Sequence, residues 1–284
     1  MRVNEVGCAS VAVIKLGGSI LKGLISYRRA ARFIGQRHAS NPKESLVVVV
    51  SAQSGETDAL LCEAQAIADE PGDAALDLLW STGELRSVAR LALHLQAAGV
   101  RAAALDVRQT GLRIAARGLG VASAEFDPAS IRKALTAHRV VIVPGFLATD
   151  ISGAVVTLGR GGSDLTAVLL AVGLSASRCE LIKDVPGYFT ADPNVNAGAQ
   201  HLPQLSFAQA LGMADAGCDL VQRAALETAD RSGLPIVVRS LNESAPESWV
   251  TAAPDVQDQN PTEARIEEVN EADLRAITTV SAGS

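Results

Sequence analysis

The sequence predicts a three-layer αβα protein built on an open, mostly parallel central sheet. Three observations predict it. Strand-like apolar runs alternate with helical stretches along most of the 284 residues, the pattern of an α/β protein. Residues 11–14, 46–50 and 140–143 are continuous apolar runs, the mark of strands covered on both faces. Each run ends in glycine and small polar residues, and in a parallel sheet those ends converge on one edge, where ligands bind.

Taken in order, residues 1–10 read as a short tail, and 11–14 as a first strand closed by Lys15-Leu16-Gly17-Gly18-Ser19. A helix with arginines on its wet face covers 27–38, and Asn41-Pro42 marks a turn. The second strand, 46–50, runs into Ser51-Ala52-Gln53-Ser54-Gly55-Glu56-Thr57-Asp58, and the next helix begins at Gly55 or Thr57. Pro71-Gly72 breaks that helix; 73–98 is helical around Ser81-Thr82-Gly83-Glu84-Leu85, and 100–107 is a third strand. Asp127 and Pro128 open a helix to about His138, followed by the strand 140–143 and Pro144-Gly145-Phe146. Residues 147–157 read as a turn between short strands. Beyond a glycine loop and its helix come a strand at 179–182, helices at 206–216 and 220–232, and a strand at 234–239. After Leu241 the pattern fades into a polar tail, 242–284.

Nearly half the residues are hydrophobic but only 3% are aromatic, so the core is expected to consist of Ala, Val, Leu and Ile. A net charge of −6 argues against a nucleic-acid binder that works through phosphate contacts. No apolar run is long enough to span a bilayer and no leader peptide is evident, so a soluble, cytoplasmic protein is expected. Cys8, Cys62, Cys179 and Cys218 lack metal-ligand spacing and read as small buried thiols.

The richest stretch is 155–167, Val-Val-Thr-Leu-Gly-Arg-Gly-Gly-Ser-Asp-Leu-Thr-Ala. Its glycines let the backbone approach a ligand closely. Ser163 reads as the N-cap of a helix over 164–174, and Arg160 beside that first turn makes an anion site. Lys15, just past a buried strand and beside two glycines, suits a transferring phosphoryl group, or is a solvated lysine in a tight turn. Glu84, after a glycine, suits a substrate ammonium, or is a partner of the helix dipole. Asp164 orients Lys15, binds a metal–phosphate complex, or only supplies charge to a helix start. The chain has no P-loop, no protein-kinase signature, no dinucleotide fingerprint and no Ser-His-Asp set.

Taken together, Lys15-Leu-Gly-Gly-Ser19, the Ser51–Asp58 segment, Gly83-Glu84-Leu85, Pro144-Gly145-Phe146, Thr157-Leu-Gly-Arg160-Gly-Gly-Ser163-Asp164 and Asp184-Val-Pro-Gly187 with Thr190-Ala-Asp192-Pro193 resemble the amino-acid kinase superfamily, and aspartokinases in particular. The resemblance implies an amino-acid kinase domain over 11–241, with a substrate lobe to about 175 and a nucleotide lobe from 176. It implies ATP-dependent phosphorylation of the side-chain carboxylate of L-aspartate, with Mg²⁺ on the ATP phosphates. Lys15 and Asp164 would be catalytic; Ser51, Thr57, Glu84, Arg160 and Ser163 would hold the amino acid. Gly17, Gly18, Ser19, Lys183, Asp184, Gly187, Phe189 and Asp192 would face the nucleotide. A homodimer is what the family suggests. Aspartokinases commonly carry C-terminal ACT domains; too few residues follow Leu241 for one, so a core without built-in feedback regulation is expected.

Departures from the aspartokinase pattern fall on the nucleotide side. Lys183 stands where a threonine is usual, Asn194 where an arginine is usual, and Asp219 where a lysine is usual. An Asp219 carboxylate about 4 Å from phosphate would cost ~4 kcal/mol per unit charge at an effective dielectric constant near 20. Lys183 or Arg223 is expected to restore the missing charge. Two other readings stay open: a kinase of another amino acid or small carboxylate, and a kinase-like binding subunit with impaired ATP handling.

Overall fold

The computed structural model describes residues 10–115, 124–159 and 161–252. The strands are β1 (Val11–Leu16), β2 (Ser45–Val50), β3 (Ala102–Ala104), β4 (Leu112–Ile114), β5 (Ala124–Phe126), β6 (Val140–Pro144) and β7 (Leu147–Thr149). They continue as β8 (Val155–Thr157), β9 (Cys179–Ile182), β10 (Tyr188–Phe189), β11 (His201–Leu202), β12 (Gln204–Ser206), β13 (Ile236–Arg239) and β14 (Ser248–Thr251). The helices are α1 (Leu24–Ser40), α2 (Glu56–Ile67), α3 (Asp73–Ala97), α4 (Ala129–Ala137), α5 (Gly162–Gly173), α6 (Phe207–Asp215) and α7 (Arg223–Ser232).

The main sheet has eight strands in the order β12-β14-β13-β9-β1-β2-β6-β3. From β13 to β3 every pairing is parallel; β14 runs antiparallel to β13 and parallel to β12. The central strands are buried and mostly apolar because helices cover both faces; Lys15 at the end of β1 and Glu180 on β9 are charged exceptions, each ion-paired. Val13, Val47, Val49, Val141 and Leu181 pack toward α4, α5, α6 and α7. Ala12, Ile14, Leu46, Val48 and Ile142 pack toward α1 and α3. This is the expected three-layer architecture. A second sheet, β5-β4-β7-β8, closes over Leu112, Ile114, Ala148 and Val156, and β10 pairs with β11 as a small antiparallel ladder.

Several expectations need correction. The third strand shrinks to β3, and the next residues bend away into a short 3₁₀ turn at Arg108–Thr110. The polar stretch after Leu241 contains β14, whose Ser248 and Val250 are buried and which pairs with both β12 and β13. The N-cap of α5 is Gly161, in the left-handed region at φ 72°, so Ser163 lies inside the first turn. Among the cysteines Cys179 is buried, Cys218 is half-buried and Cys62 is exposed; Cys8 lies outside the described residues.

Candidate active site

Strand alternation places the two lysines that meet at the strand ends. Lys15 follows Val13 by two residues on β1 and faces α5, as Val13 does. Leu181 of β9 is its register partner, and Lys183 lies two residues beyond Leu181 on the same face. Both ammonium groups therefore converge on the first turn of α5. Lys15 Nζ lies 2.7 Å from Asp164 Oδ1, and Lys183 Nζ lies 2.8 Å from Asp164 Oδ2. The backbone N–H of Gln222 also donates to Asp164 Oδ2, at 3.3 Å.

Lys15 and Asp164 are buried, and Lys183 is only slightly more exposed. Burial pushes the Asp164 carboxyl up, but the fields of Lys15 and Lys183 outweigh it and bring it down to about 2. Burial lowers Lys183, and Asp164 partly restores it. Two lysines share one carboxylate, so the cluster keeps a net positive charge at the end of the sheet.

Lys15 opens into a cleft of about 600 Å³ lined also by Gly18, Ser19, Ser51, Thr57, Trp80, Glu84, Phe146, Thr157 and Ser163. Glu84 comes from α3 and is 3% exposed. The Ala52 N–H bonds to its carboxylate, while Oε2 has no hydrogen-bond partner. Burial raises this carboxyl to about 8, against the opposing pull of Ala52 and Lys15. A buried carboxylate with a spare oxygen is a receptor for a cation.

Close backbone packing shapes the cleft. A methyl at Gly145 would lie 2.7 Å from Ser163 Cβ, so the turn after β6 can sit against α5 only with glycine there. Phe146 adopts φ 65°, a strained conformation for a bulky residue, held by its N–H bond to Thr166 Oγ1 at 3.1 Å. Thr157 Oγ1 donates to the buried Asp77 of α3 at 3.0 Å. The loop after β2 is tied to α3 by Arg90 on Gln53 Oε1 at 3.0 Å, and the start of α2 by an Arg86–Glu56 ion pair.

Of the residues selected from sequence, Lys15, Gly18, Ser19, Ser51, Thr57, Glu84 and Ser163 line this one cleft, and Asp164 and Lys183 stand beneath it through Lys15. Gly17 lies against the Lys15 ammonium, 3.2 Å from where its Cβ would stand. Arg160 lies outside the described residues. The others sit toward β10 and β11: Asp184 is exposed, and Gly187 packs so closely on Ser248 that a Cβ would come within 2.3 Å of its hydroxyl. Phe189 lies edge-on to His201, and Asp192 accepts the backbone and side-chain N–H groups of the exposed Asn194. Asp219 is exposed as well. Arg223 pairs with Asp215 and Glu227 on the surface, away from Asp164. Of the two cations expected to replace the missing charge, Lys183 joins the cluster and Arg223 does not. Sequence reasoning missed Trp80 and Asp77, although both stand at helical spacing before Glu84.

This strand-end cleft, with its shared lysine–aspartate cluster, fits the matches to known proteins. Residues 10–240 match the model of the Amino acid kinase family, and the chain belongs to that family. Its relatives within the family include aspartokinases. It is 38% identical over 208 residues to aspartate kinase Ask_LysC of Stutzerimonas stutzeri (strain A1501), covering 73% of this chain and 50% of that protein. It is 36% identical over 231 residues to aspartokinase of Thermus thermophilus, covering 81% of this chain and 56% of that one. The chain thus spans about half the length of the curated relatives it matches. Among solved structures, aspartate kinase from Synechocystis matches with a TM-score of 0.72 at 33% identity, over 88% of this chain and 41% of that one. E. coli aspartokinase III in complex with aspartate and ADP matches with a TM-score of 0.71 at 28% identity, over 87% and 65%.

Proposed function

We propose that this chain is an aspartokinase-type phosphotransferase, moving the γ-phosphoryl group of ATP to the side-chain carboxylate of L-aspartate. The observation that carries this reading is one cleft with a net-positive Lys15–Asp164–Lys183 cluster beneath it and the spare oxygen of Glu84 in its lining. The aspartokinase relatives, and the aspartate and ADP bound by the E. coli enzyme, support the choice of substrates.

In this reading Glu84 takes the α-ammonium, while Ser51, Thr57 and Ser163 take carboxylates; Arg160 is assigned the same task from sequence. The acceptor carboxylate is already ionised at neutral pH, so no general base is required. Its oxygen attacks the γ-phosphorus, the bond to the β-phosphate oxygen breaks, and ADP leaves with the electron pair. Lys15 stabilises the charge on the transferring group, and Asp164 fixes that lysine in place. Lys183 adds the second positive charge from β9. Gly17, Gly18 and Ser19 offer backbone N–H groups to the phosphates, and the segment with Asp184, Gly187, Phe189 and Asp192 borders the nucleotide.

Among the described residues no group of three His, Cys, Asp or Glu side chains is placed to hold an ion, and lysines occupy both Asp164 oxygens. In this reading Mg²⁺ would be supplied with the nucleotide and would offset charge on its phosphates. A homodimer in the cytoplasm completes the proposal; among the described residues no helix is long and apolar enough to cross a membrane.

Incubating the protein with MgATP, hydroxylamine and a panel of amino acids tests the reading. Aspartyl hydroxamate is expected. Product only from another acid would reassign the acceptor, and none from any acid would favour a binding subunit.

A further inference from the structure

We propose that Trp80 sets the length of the acceptor that this cleft admits. The inference rests on reading the cleft as an amino-acid site and adds a determinant of selectivity to it. Trp80 lines the cleft together with Glu84. The two are four residues apart on α3, so they share a helix face and stand ~6 Å apart along its axis at 1.5 Å per residue. An amino acid held through its ammonium on Glu84 has one helical turn of space before it meets the indole.

That indole is fixed from two sides. Its Nε1–H donates to the Thr57 carbonyl at 3.1 Å, so the ring cannot swing away without stranding a polar group. It packs edge-to-face with the Phe146 ring, with centroids 6.0 Å apart. Phe146 is itself held in a left-handed backbone conformation by Thr166. Trp80 thus bridges the first turn of α2 and the turn after β6, and the pair forms a rigid wall rather than a mobile flap. A rigid apolar wall discriminates against one added methylene by about 10–200-fold.

Affinity, rather than turnover, tests the idea. L-aspartate, L-glutamate and L-2-aminoadipate are titrated calorimetrically into wild type, Trp80→Leu and Trp80→Phe, after thermal melts establish that the variants fold. Wild type should bind aspartate most tightly. Trp80→Leu should raise the glutamate-to-aspartate affinity ratio by about tenfold or more, and Trp80→Phe should change it less. An unchanged ratio in Trp80→Leu overturns the inference and leaves the kinase reading standing. A wild type that binds none of the three overturns both.

A spectroscopic readout covers the case in which Trp80→Leu does not fold. The chain has two tryptophans, Trp80 and Trp249, so a Trp249→Phe variant carries Trp80 as its sole indole. Aspartate should shift its fluorescence; an unmoved spectrum at saturating aspartate overturns the inference.

Discussion

Asp164 shares its carboxylate between two ammonium groups, whereas Glu84 in the cleft lining leaves one oxygen without a hydrogen-bond partner. The two acids therefore differ in protonation. Asp164 is ionised at neutral pH, while Glu84, raised to about 8 by burial, is mostly protonated until a cation arrives. Binding an α-ammonium on Glu84 should expel that proton. Calorimetry with aspartate in buffers of different ionisation enthalpy should show release approaching one proton per site at pH 7, fading above pH 9. Affinity should rise about tenfold per pH unit below pH 8 and then level off. Proton-neutral binding at pH 7 would contradict the role given to Glu84. At the other end of the site, Lys183→Met should lower hydroxamate formation by about 10²–10³-fold and leave aspartate affinity nearly unchanged. Equal activity in that variant would remove Lys183 from phosphoryl transfer.

At the scale of elements, α3 and the start of α5 organise the cleft. Along α3, Asp77 holds Thr157, Trp80 holds the Thr57 carbonyl, and Glu84, Arg86 and Arg90 hold Ala52, Glu56 and Gln53. One helix thereby fixes the loop after β2 and the strand that leads into the glycine loop. On the opposite face of the sheet, α5 meets the turn after β6 through Gly145, with no room for a methyl. Gly145→Ala should shift the first turn of α5 and cost about 1–3 kcal/mol in urea unfolding. Activity should fall further than stability, because Ser163 and Asp164 sit in that turn. Wild-type stability in this variant would mean that the turn can yield.

For the molecule as a whole, Glu84 and Asp164 influence folding with opposite signs. Glu84 has a folded pKa raised from 4.5 to about 8, so its contribution is complete below pH 4.5 and is lost as pH rises through 8. Asp164 has a folded pKa lowered from 3.8 to about 2, so its contribution is present above pH 3.8 and is lost as pH falls toward 2. Urea midpoints should decline from pH 5 to pH 9 in wild type, and Glu84→Gln should flatten that decline while keeping the loss in acid. A wild-type midpoint constant over that range would show that Glu84 titrates normally. A separate network holds the other face of the sheet: Glu180, 1% exposed, faces Arg37, Arg178 and Arg239 beside α1.

By itself the sequence determined the layers and pointed to the sheet edge where the candidate site lies. Runs such as residues 46–50 are apolar at every position, which only a strand covered on both faces tolerates, and polar clusters at the strand ends marked one edge. The lysine at the end of β1 and the aspartate at the start of α5 were legible for the same local reasons. Tertiary structure decided the rest. β14 is a short strand in a polar stretch, and it is recruited because β13 and β12 offer it open edges. Lys183 and Arg223 are equally cationic in sequence; strand register turns the first onto Asp164, while Asp215 and Glu227 capture the second at the surface. Trp80 carries no motif. Its role depends on the Thr57 carbonyl and the Phe146 ring, and the fold brings both to it from distant parts of the chain. Periodicity records which face a residue shows, but the partner across a cleft is set by packing between elements far apart in sequence.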